Sequence, residues 1–227
     1  MCESAEEAYA FTKLAAAAYI NIGTLTREQE EAMLLSARAA KEVGIPVVLD
    51  PVGCAAIPRR KPFIDRLRTE GVVSVVKGNR GEINSLAGVA AQVRGVDALD
   101  DGQDGTETCM RLARDWNCIV VATGKVDIIT DGKRVAYVQN GHEVMTRITG
   151  AGCMLGALLT AFCGAHPKEL FEACTMGTLL MGVAGDQAAA KENGHLPGTF
   201  RAGLMDAIYS TDDEALRALG RLELRDV

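Results

Sequence analysis

The chain has 227 residues, 48% hydrophobic and 24% charged, with a formal net charge of -6. That length suits one α/β domain, and the composition is ordinary for a globular chain. The acidic balance argues against a nucleic-acid partner, which a basic face would recognise, and no apolar run reaches the ~18 residues of a membrane helix.

The segment Met1 to Glu7 is acidic and lacks the basic-then-apolar layout of a signal peptide. Seven cysteines form no CxxC pair, so they read as reduced thiols of a cytoplasmic protein, not as a disulfide framework or zinc site. Residues 3–16 carry helical spacing, and Tyr19 to Gly23 reads as a short strand. Thr26 and Gln29 form a capping box for a helix running to about Glu42, stopped by Gly44 and Pro46. Pro46 to Asp50 is a buried-type strand that delivers Asp50 at its carboxyl end.

The alternation repeats along the chain. Pro62 to Glu70 predicts a helix, and Val72 to Val76 a strand that delivers Lys77, Asn79 and Glu82 beyond its end. Glu82 to Leu86 starts another helix, Gly95 to Gly105 reads as a loop, and Thr106 to Trp116 as helix. Cys118 to Ala122 is a strand ending at Thr123-Gly124, and Asp131-Gly132 joins Val126 to Thr130 and Arg134 to Val138 in a hairpin. Apolar helices follow at about 153–164, 169–191 and 199–208, and residues 211–227 predict a last surface helix. The expectation is a single α/β domain over residues 1–227, with a mostly parallel central sheet flanked by helices and ligands at the carboxyl ends of its strands.

Thr149-Gly150-Ala151-Gly152-Cys153-Met154-Leu155-Gly156 precedes the first of those apolar helices. Glycines let backbone N–H groups approach an anion, and a helix N-terminus favours both a phosphate and the thiolate of Cys153. The alternative is a glycine-rich turn into a buried helix, with Cys153 as a small core residue. Asp50, Asn79, Glu82 and Thr123 all fall at predicted strand ends. Asn79 and Glu82, three apart at a strand-to-helix junction, suit Mg²⁺ beside phosphate, with Asp50 a second carboxylate for the ion or its waters, and Lys77, Asn79, Thr123 and Gly152 suit the bound nucleotide. Equally, Asn79 and Glu82 suit a helix cap and its first turn, and Lys77 a solvated strand-end charge. A cysteine at a helix N-terminus can accept the hydroxyl proton in phosphoryl transfer to an alcohol.

The ordered series Asn21-Ile22-Gly23-Thr24-Leu25, Val48-Leu49-Asp50-Pro51-Val52-Gly53, Lys77-Gly78-Asn79-Arg80-Gly81-Glu82, Thr123-Gly124, Asn140-Gly141-His142, Thr149 to Cys153 and Pro197 to Arg201 resembles the hydroxyethylthiazole kinase family. That family is ribokinase-like, and most relatives in the wider superfamily carry aspartate where Cys153 stands. The resemblance implies phosphorylation of 4-methyl-5-(2-hydroxyethyl)thiazole by ATP with Mg²⁺ in thiamine biosynthesis or salvage, by a homotrimer with sites at subunit boundaries. It implies Cys153 as catalytic base, Gly150 and Met1 beside the thiazole, Lys77 and Thr123 at the nucleotide, and Asp50 and Glu82 near the metal. Two departures accompany it. Lys77 replaces a family arginine, keeping the charge without the planar fork. The family's first strand and helix are not matched in this chain. The competing readings are another ribokinase-like small-alcohol kinase and a catalytically weak nucleotide-binding subunit.

Overall fold

The computed structural model describes residues 4–89 and 103–226. Four strands each precede a helical or turn segment: β1 (Ala18–Asn21), β2 (Val47–Asp50), β3 (Val75–Asn79) and β4 (Ile119–Thr123). They pair in parallel in chain order, and β5 (Asp127–Thr130), β6 (Arg134–Val138) and β7 (Leu222–Asp226) extend the sheet antiparallel. Five of these seven strands therefore share one direction, and the mostly parallel α/β expectation holds.

Alternation along each buried strand sends successive side chains to opposite faces. Val48, Val75, Val121, Ile129 and Ala136 project to one face, beneath α6 (Ala151–Ala165), α7 (Leu170–Ala190) and α8 (Pro197–Ser210). Leu49 projects to the other, beneath α2 (Arg27–Val43) and α3 (Lys61–Thr69). Val76, Val120 and Ile128 follow it there, beneath α4 (Arg80–Leu86) and α5 (Gln103–Trp116). The result is a three-layer sandwich. α1 (Ala5–Thr12) lies against α2, where Thr12 and Ser36 hydroxyls meet at 2.6 Å.

Local rules set several boundaries. Thr26 Oγ1 accepts the Gln29 N–H while Gln29 Oε1 accepts the Thr26 N–H, and Gly44 ends α2 at φ 74°. Three boundaries differ from the sequence expectation. First, β3 starts at Val75 and continues through Lys77, Gly78 and Asn79, paired with Val121, Ala122 and Thr123. Lys77 is thus inside the strand and buried, not solvated at its end. Second, α5 begins at Gln103, inside the expected loop, whose residues 95–102 lie outside the described ones. Third, residues after Thr211 form a short helix, α9 (Asp213–Leu219), and then β7, which the expected surface helix had absorbed.

β7 is held at its entry by a polar clasp. Asn140 Nδ2 donates to Asp186 Oδ2 at 2.8 Å and to the Leu219 carbonyl at 3.0 Å, and Arg221 donates to Asp186 Oδ2 at 3.2 Å. Helix α7 approaches this clasp through Gly182, where a Cβ would stand 2.7 Å from Asn140 Cβ and 2.8 Å from its carbonyl oxygen. Gly182→Ala therefore forces backbone apart, and thermal or urea unfolding should show a loss of about 1–3 kcal/mol. An unchanged midpoint would show that α7 moves freely.

Asp127 opens β5, and its Oδ1 accepts the Gly124 N–H at 2.9 Å. Burial pushes its carboxyl up to about 7, against the opposing pull of that N–H, Arg80 and Lys77. The unfolded carboxyl titrates near ~3.9, so the folded chain binds the extra proton between these values and loses stability as pH rises through about 7. Asp127→Asn keeps the acceptor and removes the titration. It should melt ~2–4 °C above the parent in alkaline buffer, with the gap closing at acid pH; parallel melting curves at all pH would refute the assignment.

Candidate active site

The carboxyl ends of β1 and β2, with Lys77 of β3, meet the N-terminus of α6. Gly150 is the N-cap of that helix, left-handed at φ 95°, with no side-chain cap and open space where a Cβ would be. An uncapped first turn leaves backbone N–H donors facing the crevice, a setting that favours anions. Gly152 lies in that turn, directly over the Lys77 ammonium; a Cβ on it would stand 3.1 Å from Nζ. Cys153 follows, half-buried.

Asp50 ends β2 and is 1% exposed. Its Oδ2 takes the Lys77 ammonium at 3.1 Å and the Tyr19 hydroxyl at 2.8 Å. Its Oδ1 is the one buried side-chain oxygen or nitrogen among the described residues that has no hydrogen-bond partner. An orphaned carboxylate oxygen in such a place fits a cation or a water of its shell. The Tyr19 phenol is held protonated by burial first and by the Asp50 charge second. Tyr19 also donates to the Cys153 carbonyl at 3.2 Å, and Asn21 Nδ2 lies 3.1 Å from Cys153 Sγ.

Glu82 anchors a second, adjoining group. Its Oε1 accepts the Gly53 N–H at 2.7 Å and its Oε2 the Asn79 N–H at 2.8 Å, while Asn79 Oδ1 caps α4 by accepting the Glu82 N–H at 2.9 Å. Glu82 thus braces the turn after β2 against the start of α4. Each oxygen keeps a further lone pair for the waters of a hydrated cation. Asn79 is engaged as a helix cap through Oδ1. The Thr123 hydroxyl donates to the Gly78 carbonyl at 3.4 Å, tying the end of β4 to β3.

Of the residues singled out from the sequence, Asp50, Lys77, Gly152 and Cys153 meet at the first group, with Gly150 at its rim. Asn79, Glu82 and Thr123 form the neighbouring rim. Met1 lies outside the described residues. Tyr19 and Asn21 carry the floor of the site and were not singled out, although Asn21 stands at a strand end before a glycine, the signal that selected Asp50 and Thr123.

Residues 1–214 match the hydroxyethylthiazole kinase family. The chain is 52% identical over 223 residues to a hydroxyethylthiazole kinase of Desulfitobacterium hafniense, covering 98% of this chain and 83% of that one. It is 47% identical to hydroxyethylthiazole kinase 2 of Clostridium botulinum, again covering 98% of this chain and 84% of the relative. A solved hydroxyethylthiazole kinase of Pyrococcus horikoshii superposes with a TM-score of 0.90 at 34% identity, covering 100% of this chain and 84% of that one. A pyridoxal kinase of Staphylococcus aureus, solved with AMP-PCP, shares the fold at a TM-score of 0.64 and 16% identity, covering 98% of this chain and 77% of that one. The glycine turn with its cysteine, the buried carboxylate beneath it and this likeness over nearly the whole chain lead to one assignment: the chain belongs to the hydroxyethylthiazole kinase family.

Proposed function

We infer that this chain is a kinase that transfers the γ-phosphoryl group of ATP to the hydroxyl of 4-methyl-5-(2-hydroxyethyl)thiazole, a step of thiamine biosynthesis or salvage. The observation that carries the reading is Cys153 in the open first turn of α6, beside the buried Asp50–Lys77 pair, in a chain of this family.

Phosphoryl transfer asks a protein to align the reactants, neutralise charge and accept one proton. Cys153 Sγ takes the proton of the substrate hydroxyl as that oxygen bonds to the γ-phosphorus and the bond to the departing ADP oxygen breaks. Gly150 and Gly152 let backbone N–H groups of the α6 turn reach the transferring phosphate, with the Lys77 ammonium beneath Gly152 adding positive charge. Asn79 and Thr123 face the nucleotide from the neighbouring strand ends. Asp50, through its unpartnered Oδ1, and Glu82, through its remaining lone pairs, would hold Mg²⁺ or its waters. When bound, that ion supplies neutralisation of phosphate charge. Gly150 contacts the thiazole. We also read the chain as a cytoplasmic homotrimer. The reduced thiols of Cys54, Cys109 and Cys118 support a reducing compartment, and the trimer rests on the family resemblance. Among the described residues no helix is long and apolar enough to cross a membrane.

ATP consumption by the purified chain with Mg²⁺ should rise on adding the thiazole alcohol. ATP binding with no thiazole-dependent ADP formation would overturn the kinase reading in favour of a nucleotide-binding subunit. Cys153→Ala should slow turnover by about 10²–10⁴-fold, while Cys153→Asp should retain activity by supplying another proton acceptor. A loss under about threefold in the alanine variant would remove Cys153 from the role of base.

A further inference from the structure

Two side chains of β1 reach the reacting sulfur without a place in the chemistry just given. Tyr19 and Asn21 are two residues apart and so share a face of the strand, the face that meets the first turn of α6. Asn21 Nδ2 lies 3.1 Å from Cys153 Sγ, 3.0 Å from the Tyr19 oxygen and 3.4 Å from Asp50 Oδ2. The orientation of its amide is determined twice. Asn21 Oδ1 accepts the Gly23 N–H at 2.9 Å; reversed, the amide would set its NH₂ against that donor and its oxygen against the Asp50 carboxylate. The acceptors around it are also fixed. Tyr19 is wedged beneath Gly156, where a Cβ would stand 2.3 Å from its hydroxyl oxygen, and its own hydrogen is directed to Asp50 and the Cys153 carbonyl.

We propose that Asn21 is the positioning residue for Cys153, its Nδ2–H holding the sulfur as a hydrogen-bond acceptor turned toward the incoming hydroxyl. The proposal deepens the reading of Cys153 as the proton acceptor and rests on it for its catalytic meaning. A donated N–H binds sulfur most strongly when the sulfur carries charge, so it favours the form that receives a proton. The charged groups around the sulfur are mixed: Asp50 from β2 opposes a thiolate, whereas Lys77 from β3 and the N-terminus of α6 favour it. Tyr19, the neighbour from β1, is neutral and spends its hydrogen elsewhere. Asn21 is the neutral donor among the described residues that contacts the sulfur itself.

The test uses the full chain and two variants, Asn21→Ala and Asn21→Asp. Iodoacetamide labelling of Cys153 is followed by peptide mass near neutral pH, alongside kcat and KM for the thiazole alcohol. Peptide mass separates the Cys153 label from that of Cys2, and the other cysteines among the described residues, Cys54, Cys109, Cys118, Cys163 and Cys174, are buried, with burial pushing the thiol of Cys54 up to about 11 and those of Cys109 and Cys118 up to about 12. Asn21→Ala should slow labelling about tenfold and lower kcat about 10–100-fold, with KM changed less than about threefold. Asn21→Asp keeps the size and the Gly23 contact but replaces the N–H with a second carboxylate, so it should label at least as slowly. Equal labelling rates in the parent and both variants would overturn the proposal, whatever happens to turnover. If Cys153→Ala keeps turnover while both Asn21 variants still label slowly, Asn21 does position the sulfur and the general-base reading is what fails.

Discussion

A carboxylate cut off from water is the constraint around which this site is assembled. Burying Asp50 costs free energy unless charge and hydrogen bonds answer it, and the answers reach Oδ2 from two directions: Lys77 from β3 and Tyr19 from β1. Each answer fixes another element. The Lys77 stem has to run inside β3 to bring its ammonium there, the Tyr19 ring has to slide under α6, and that requires Gly156. The pair is therefore less a source of stability than a device for setting the relative heights of three strands and a helix. Replacing it by apolar groups would be tolerated by the packing, whereas deleting one partner would strand a buried charge.

Glu82 does comparable work next door with neutral partners. By accepting two backbone N–H groups it ties the turn after β2 to the N-cap of α4, so the two strand ends keep a fixed separation. Both walls of the crevice between them are thereby braced by one carboxylate. Such division of labour, one carboxylate holding charge and the other holding backbone, is set by what each oxygen touches rather than by residue type.

Much of this was legible in the sequence where the rule is local. The cap at Thr26 and Gln29, the stop at Gly44 and the hairpin at Asp131-Gly132 each depend on residues within a few positions of one another. The alternation of buried strands and helices gave the three-layer class, and strand ends pointed to Asp50 and Thr123. What escaped depends on partners distant in the chain. Lys77-Gly78-Asn79 looks like loop until Asp50 is seen to neutralise the lysine inside the sheet. β7 is mostly exposed and rich in charge, so it has no apolar pattern, and its strand character comes from pairing with β6. Asn21 meets Cys153 across 132 positions, and nothing in its neighbourhood announces a sulfur.

The order of the sheet has one more consequence. Because β1 to β6 pair in the order in which they occur along the chain, each strand meets an edge already made by its predecessor. Growth of the sheet during synthesis can thus follow the ribosome, each step closing only the connection from one strand to the next, a helical crossover from β1 to β4 and a tight turn from β4 to β6. β7 breaks the rule: it must wait for α6, α7, α8 and α9 before it returns to β6. Until it arrives, β6 keeps an unpaired edge of backbone donors and acceptors, the kind of surface on which nascent chains associate. The slow, vulnerable interval in the birth of this protein lies between the completion of its crevice and the docking of a strand that takes no part in the chemistry.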